Sequence, residues 1–211
     1  MRSTPDRIIK NDTIVDFMDL WRSHRKTRSR LGAFKKIKED IKTKKITEKN
    51  TRKTNCVVIH WAPKRGQNGE SFEQSLEVIN REHEKFRKIP GYPQPLSGTK
   101  YENIAYHFII GQNGERYSTR LLSNIGYHAG NYEVNRVSIG ICLIGDRATV
   151  EQLRKLKELL NHYHELGETK AGIYGHCEVR KNPTECPGDA LMSWITRCRS
   201  KWSLDMRYAL R

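Results

Sequence analysis

Two histidines and one cysteine are the residues of this chain whose types and spacing best suit chemistry. His176 and Cys186 lie ten residues apart in a loop-like stretch, residues 175–188, and His60 ends the apolar run at residues 56–59. An imidazole and a thiolate presented together are typical zinc ligands, and such nitrogen and sulfur donors favour zinc over magnesium or calcium. Three protein ligands with one open position indicate a hydrolytic site, whereas a fourth ligand would indicate a structural one.

Each of these residues also has an ordinary structural interpretation. A single histidine is more often a surface or core residue than a metal ligand, and Cys186, before Pro187 and Gly188, can be a small buried residue. The combination carries more weight, because His60 ends one predicted strand and His176 follows another. Sheets of α/β proteins commonly have their active sites at such strand ends.

The elements that must position these residues follow from residue 55 onward, where apolar strand-like runs alternate with amphipathic helices. Asn113-Gly114 between two apolar runs is a strong hairpin signal. Strands interleaved with helices predict an α/β fold with a single mixed central β-sheet flanked by helices. The predicted strands are 56–60, 105–110, 115–118, 138–144 and 173–174, and the predicted helices are 71–88, 150–166 and 189–198.

The net charge of +15 is concentrated in the N-terminal quarter of the chain. Residues 1–55 hold 17 lysines and arginines against 7 acidic residues. We predict a basic N-terminal extension at residues 1–54, partly helical or flexible, a folded domain at residues 55–198 and a short C-terminal tail at residues 199–211.

Three functions stay open for the N-terminal extension. It can act as a solubilising segment, or it can attract a polyanion such as an anionic envelope polymer, lipid or nucleic acid. A short amphipathic helix is predicted over residues 14–21, and a solvated helix or mobile basic tether over residues 31–55. The aromatic and apolar residues Phe17, Leu20 and Trp21 can alternatively dock a partner protein.

The sequence contains no apolar run long enough for a transmembrane helix, and its first residues lack the apolar core of a signal peptide. We therefore expect a protein that is synthesised in the cytosol. The number of cysteines is odd, so free or metal-bound thiols are favoured over a disulfide framework. The cysteines are Cys56, Cys142, Cys177, Cys186 and Cys198.

Five short blocks occur in an order that resembles the zinc N-acetylmuramoyl-L-alanine amidases, a family that includes phage amidase-type lysozymes and peptidoglycan recognition proteins. The resemblance covers residues 55–197. The blocks are Val58-Ile59-His60, then Ala105-Tyr106-His107-Phe108-Ile109-Ile110, Tyr127-His128-Ala129-Gly130, Ser138-Ile139-Gly140-Ile141, and finally Gly175-His176 with Thr184-Glu185-Cys186-Pro187-Gly188.

The resemblance implies a role for six residues. The implied zinc ligands are His60, His176 and Cys186. Tyr106 matches the catalytic tyrosine of the family, and Thr184 matches a catalytic position that holds lysine in phage lysozymes and threonine in catalytic recognition proteins. His128 matches a histidine of the substrate groove, and His107, one residue from Tyr106 along a strand, is expected to point the other way and to be structural.

Other interpretations of these residues remain open. Tyr106 can be a core aromatic residue, Thr184 can cap the following helix, and His128 can be an exposed loop residue. The spacing from the second histidine to the cysteine is two residues longer than in most relatives, which places an insertion within residues 180–183. Cys142 lies where some cytoplasmic amidases have a catalytic glutamate. The cysteine at this position resembles the pattern of the phage lysozymes.

The function implied by the resemblance is zinc-dependent hydrolysis of the amide bond between N-acetylmuramic acid and L-alanine in peptidoglycan. We expect a monomeric phage or prophage endolysin that acts on the cell wall after release from the cytosol. The alternative is a non-catalytic peptidoglycan-binding or regulatory protein with the amidase fold. A phage lysozyme that also binds a polymerase is a third hypothesis, for which the sequence contains no direct evidence.

Overall fold

A computed structural model describes residues 7–10, 13–16, 54–66, 69–89, 100–165 and 172–209. The N-terminal part forms two antiparallel strands, β1 (Arg7–Lys10) and β2 (Thr13–Asp16). Strand β2 takes the place of the first residues of the helix predicted over 14–21, in keeping with the strand preference of the β-branched pair Ile14-Val15. The rest of that helix and residues 31–53 of the predicted tether lie outside the described residues.

The folded domain is built on a five-stranded mixed sheet. The spatial order is β5-β4-β6-β3-β7, with β4 and β5 antiparallel and the other neighbouring pairs parallel. The predicted α/β fold with a mixed central sheet is therefore confirmed. The strands are β3 (Cys56–Ala62), β4 (Phe108–Ile110), β5 (Arg116–Ser118), β6 (Ser138–Ile144) and β7 (Gly172–Gly175).

Five α-helices accompany the sheet in the described part of the chain, and two of them, α2 and α4, are absent from the sequence prediction. The last helix also runs through residue 209, so residues 199–209 continue it instead of forming a separate tail; this stretch contains no glycine or proline to end it. The helices are α1 (Phe72–Glu84, extended by a 3₁₀ turn at Lys85–Lys88), α2 (Tyr132–Val137), α3 (Val150–Glu165), α4 (His176–Val179) and α5 (Asp189–Ala209).

The sheet has an apolar layer on each face. On one face Val57 and Ile59 pack with the leucines of α3 and with the start of α5. On the other face Cys56 and Val58 pack with residues of α2 and α4, and the side chains of α1 cover β4 and the end of β6. Because alternate residues of a strand point to opposite faces, β3 contributes to both layers.

Helix α1 begins at a capping box. The Ser71 hydroxyl accepts the N–H of Gln74 at 3.2 Å, and the Gln74 side chain accepts the N–H of Ser71 at 2.7 Å.

Among the described residues, no helix has the length and apolar character needed to cross a membrane.

Candidate metal centre

His60 lies near the carboxyl end of β3. It continues the alternation of Cys56 and Val58, so its side chain points to the face covered by α1 and α2. The parallel register pairs His60 with Cys142 of β6. The imidazole is only 1% exposed, and a buried polar ring of this kind needs partners within the protein.

His176 is the first residue of α4, a single helical turn that follows β7 directly. A partly buried ion pair between Arg199 and Glu178 holds this junction. The Glu178 carboxylate accepts the N–H of Gly175 at 2.8 Å and both terminal nitrogens of Arg199, one of them at 2.9 Å. Arg199 also donates from Nε to the carbonyl of Ile173. The last helix is thereby tied to the strand and the turn that present His176.

Cys186 follows α4 in the loop before α5. The backbone N–H of Trp61 donates to its sulfur at 3.3 Å, and the N–H of Cys177 donates to its carbonyl at 2.7 Å. The loop is therefore fastened both to the end of β3 and to the turn that carries His176. An N–H donor aimed at sulfur favours the thiolate, which is the form that binds a metal.

The structure brings His60, His176 and Cys186 together. Their candidate ligand atoms all lie within 4.8 Å of one another, and the two imidazole rings have centroids 4.4 Å apart. The Nε2 atom of His176 is buried and has no hydrogen-bond partner. A buried nitrogen without a partner, facing a second imidazole and a thiol, fits the requirements of a zinc ligand.

The protonation states of this cluster also fit a metal site. Burial, with added repulsion from His176 and His128, holds the pKa of His60 well below its usual value. Burial and the charge of Arg180 lower the pKa of His176 to about 4. Both imidazoles are therefore neutral near pH 7, as metal ligands must be. Burial raises the pKa of Cys186 to about 11, so its thiolate needs a cation beside it.

Tyr106 lies beside this cluster. Its ring centroid is 5.0 Å from that of His60, and the buried thiol of Cys142 is close enough to influence its phenol. Burial, followed by the nearby Cys142 and Cys186, raises the pKa of Tyr106 well above its usual value. The phenol therefore keeps its proton and can act as a hydrogen-bond donor, but not as a base, near neutral pH.

His128 occupies a different place from the substrate groove predicted for it. The residue is 6% exposed, and its Nδ1 lies 3.0 Å from Nε2 of His60. Its ring lies over Gly140 of β6, where an added Cβ would come within 2.5 Å of His128 Cδ2. His128 thus positions His60 through the contact between their ring nitrogens. The absence of a side chain at Gly140 leaves room for the His128 ring.

His107 has the structural role expected for it, although the observed strand begins only at Phe108 and not at residue 105 as predicted. Its Nδ1 accepts the N–H of Gly140 at 2.9 Å, and its Nε2 lies 3.0 Å from the carbonyl of Asn124. Both ring nitrogens are therefore used in backbone hydrogen bonds. His107 fixes the segment that carries Tyr106 to β6 and leaves the Tyr106 side chain as the one directed at the cluster.

Thr184 lies two residues before Cys186, and its hydroxyl accepts the N–H of Cys186 at 3.3 Å. This contact shapes the loop that presents the sulfur. A hydroxyl can accept one hydrogen bond and donate another, so the proton of Thr184 remains available for a second partner. Helix α5 begins only at Asp189, and Thr184 therefore does not cap it.

Two residues beside the cluster are absent from the predicted site, His83 and Arg180. The His83 ring on α1 lies 5.3 Å from that of Tyr106, and its Nδ1 accepts the N–H of Ala105 at 3.0 Å. Its helical spacing gives a core interpretation, so the sequence contains no signal for this position. A cavity of ≈ 250 Å³ opens next to it, lined by Ala62, Pro63, Lys64, Arg65, Ile79, Glu82, His83 and Tyr106.

Comparisons with known proteins identify the family of this chain. A model of the N-acetylmuramoyl-L-alanine amidase family matches residues 50–189. Peptidoglycan-recognition protein SC1a of Drosophila melanogaster is 35% identical over 109 residues, which are 49% of this chain and 56% of that protein. The chain thus spans little more than half the length of that relative.

Solved structures give the same result. Wild-type Drosophila PGRP-LB is 28% identical, with a TM-score of 0.54, and the match covers 70% of this chain and 82% of that one. A Drosophila PGRP-LB variant in complex with tracheal cytotoxin is 27% identical, with a TM-score of 0.50, over 66% of this chain and 78% of that one.

The family match covers more than half of the chain and includes all five strands of the central sheet. The clustered residues His60, His176 and Cys186 lie within it. The chain therefore belongs to the N-acetylmuramoyl-L-alanine amidase family.

Proposed function

We propose that this chain is a zinc-dependent hydrolase of the amide bond between N-acetylmuramic acid and L-alanine in peptidoglycan. The observation that carries the proposal is the cluster of His60, His176 and Cys186, whose ligand atoms lie within 4.8 Å of one another. Membership of the amidase family supports the reaction type. A protein that only binds peptidoglycan has little use for a half-buried thiol next to two neutral imidazoles.

His60, His176 and Cys186 would hold the zinc ion, and His128 would keep the His60 ring in place. When bound, zinc acts as a Lewis acid that lowers the pKa of water and polarises a carbonyl group. The protein side chains supply the rest of the site. The N–H of Trp61, 3.3 Å from the sulfur of Cys186, stabilises the thiolate form that the site requires.

Tyr106 would donate a hydrogen bond to the oxygen of the lactyl carbonyl as negative charge develops there. Its raised pKa keeps the phenol protonated, and a fixed donor directed at a developing oxyanion is one of the largest contributions to catalysis. Thr184 would supply a second donor, because its hydroxyl proton is not used by the contact with Cys186. We assign no further proton-donating side chain to the reaction beyond Tyr106 and Thr184.

The substrate class is supported by the names of the relatives. The Drosophila proteins are recognition proteins for peptidoglycan, and one PGRP-LB structure contains tracheal cytotoxin. The cavity beside Tyr106 offers a polar lining from Lys64, Arg65 and Glu82 next to the cluster. Apolar side chains complete the lining, and a cleft that combines apolar walls with a few polar groups suits a substrate made of sugar and peptide.

A second function is favoured by the same relatives, which are named for recognition and not for hydrolysis. In that case the chain would bind peptidoglycan and leave its bonds intact. The two functions differ in the fate of one amide bond, and a single experiment separates them.

We place the proposed enzyme among the phage or prophage endolysins that reach the wall after release from the cytosol. The concentration of positive charge in residues 1–55 supports a role for the extension in binding an anionic envelope polymer. Such binding would hold the monomer close to its insoluble substrate.

The test is digestion of purified cell walls by the full chain under three conditions: loaded with zinc, treated with a strong zinc chelator, and supplied with zinc again. New amino-terminal L-alanine should form under the first and third conditions and not under the second. Metal analysis should give about one zinc per chain. Cys186→Ala should lose both zinc and activity, whereas the matched control Cys198→Ser should keep both. Wall binding without release of L-alanine termini by the zinc-loaded chain would establish the recognition function instead.

A further inference from the structure

Arg180 lies at the rim of the proposed metal centre. It follows α4 directly, and its backbone N–H donates to the carbonyl of His176 at 3.1 Å. Its side chain crosses Gly130, because a Cβ built at Gly130 would lie 3.0 Å from Arg180 Cγ and 3.2 Å from its Nε. Gly130 also has a φ of +60°, a backbone conformation that favours glycine.

The charge of Arg180 is not neutralised within the described part of the chain. The side chain is exposed, and no described acidic residue forms an ion pair with it. Its charge is nevertheless felt inside the site. Burial is the main cause of both pKa shifts, since it lowers the pKa of His176 and raises that of Cys186. The positive charge of Arg180 acts to lower both pKa values.

The substrate of the proposed reaction has its negative charge on one side of the scissile bond. The muramic acid ring offers neutral hydroxyl and acetamido groups. The stem peptide offers carboxylates, and the first of them is the α-carboxylate of the second residue, D-isoglutamate. In walls where this group is amidated, the residue is D-isoglutamine and the charge is absent.

We infer that Arg180 is a specificity-determining residue that binds the free α-carboxylate of the second stem residue. The inference rests on the proposed function, since it requires the stem peptide to lie with its first amide at the metal centre. A guanidinium binds a carboxylate through two parallel charge-assisted hydrogen bonds. The stem peptide would therefore leave the metal centre toward the loop at residues 128–130, with the glycan on the opposite side.

The test compares two soluble ligands, the γ-methylamides of N-acetylmuramoyl-L-alanyl-D-isoglutamate and of its D-isoglutamine form, so that the α-carboxylate is present in the first and absent from the second. Dissociation constants are measured by calorimetry on the full chain with chelator present, so that no turnover occurs, and kcat/KM is measured on the zinc-loaded chain. The wild-type chain should prefer the carboxylate form about tenfold. Arg180→Gln should bring this ratio close to one, whereas Lys181→Gln, which removes the same charge from the next residue of the loop, should keep it.

An equal preference in the wild-type chain and in Arg180→Gln would overturn the inference, as would a loss of the preference in Lys181→Gln. Absence of hydrolysis of both ligands would overturn the proposed enzyme instead. The ratio of dissociation constants would still decide the role of Arg180 in that case, because it needs no turnover.

Discussion

The Nδ1 atom of His128 lies 3.0 Å from Nε2 of His60, beneath the cluster that we propose to bind zinc. One nitrogen of His60 is engaged by this contact, so the other nitrogen is left for a metal. Partners of this kind fix the ring orientation of a metal-ligating histidine. His128 is in turn held by Asn135, whose side-chain oxygen accepts its backbone N–H at 3.1 Å.

Replacement of His128 by alanine should weaken zinc binding without removing a ligand. We expect the zinc dissociation constant to rise about 10- to 100-fold, because His60 loses the partner that orients it. Competition with a chromophoric chelator measures this change. His162→Ala, on the exposed surface of α3, is the matched control, and an equal effect in both variants would contradict the role of His128.

Gly140→Ala should disturb the same contact from the opposite side. The added Cβ would come within 2.5 Å of the His128 ring, so either the ring or strand β6 must move. We expect a loss of about 1–3 kcal/mol in the free energy of unfolding, measured in urea, together with weaker zinc binding. Unchanged zinc affinity in a destabilised Gly140→Ala protein would show that the ring retains its place.

Tyr106→Phe removes one oxygen atom and leaves the ring in contact with His60. We expect kcat on soluble muropeptides to fall about 10²- to 10³-fold, because the donor to the developing oxyanion is lost. The zinc content should stay the same, which separates this effect from loss of the metal. An activity within twofold of the wild-type value would exclude Tyr106 as the donor.

The pair formed by Arg199 and Glu178 should contribute to stability because it is partly buried and holds the start of α4. Arg199→Met leaves the Glu178 carboxylate without its charged partner, and we expect a loss of about 1–3 kcal/mol in the free energy of unfolding. Lys155→Met breaks an exposed pair with Glu158 and should cost about 0–0.5 kcal/mol. Urea denaturation of both variants measures the two losses in the free energy of unfolding. Similar losses would contradict the larger contribution that we expect from the partly buried pair.

His83 should make the metal-free protein less stable in mild acid. Burial, with added repulsion from Lys85 and Arg120, lowers the pKa of His83 to about 4, whereas an unfolded chain has a value near 6.5. Below pH 6.5 the unfolded chain therefore binds more protons, so stability is full above that pH and declines toward pH 4.

Between pH 7 and pH 5 we expect His83 to account for about 1–2 kcal/mol of this loss. Urea denaturation at the two pH values measures the change. His83→Gln keeps an acceptor for the N–H of Ala105 and should lose less stability between pH 7 and pH 5. Some loss should remain, because His60 and His176 still titrate. An unaltered pH dependence in His83→Gln would exclude this contribution.

Much of the sheet could be predicted from hydrophobic pattern. The strand predicted at 138–144 is the observed β6, and the hairpin at Asn113-Gly114 joins β4 and β5 as expected. The two short helices could not be predicted this way, because six or four residues carry no helical periodicity. Helix α2 depends on the Asn131 side chain, which accepts the N–H of Glu133, and α4 depends on the contact of Glu178 with Arg199.

The cluster of His60, His176 and Cys186 could be predicted from the residue types, from the strand ends and from the resemblance to the amidase family, although chain order alone does not make β3 and β7 neighbours. The burial of His128 could not, because it depends on the space that Gly140 of strand β6 leaves for the His128 ring. The same limit applies to His83, whose approach to Tyr106 results from the packing of α1 against the sheet. Contacts across elements decide these positions, and local sequence contains no signal for them.

The residues of the proposed metal centre come from opposite ends of the folded domain. His60 belongs to its first central strand, and Cys186 belongs to the loop before its last helix. During synthesis, a ribosome that has not yet added residue 186 holds a chain with at most two of the three ligands. Arg199, which fastens α4, is added later still. The proposed activity is therefore withheld from nascent and prematurely terminated chains until translation of the domain is nearly complete.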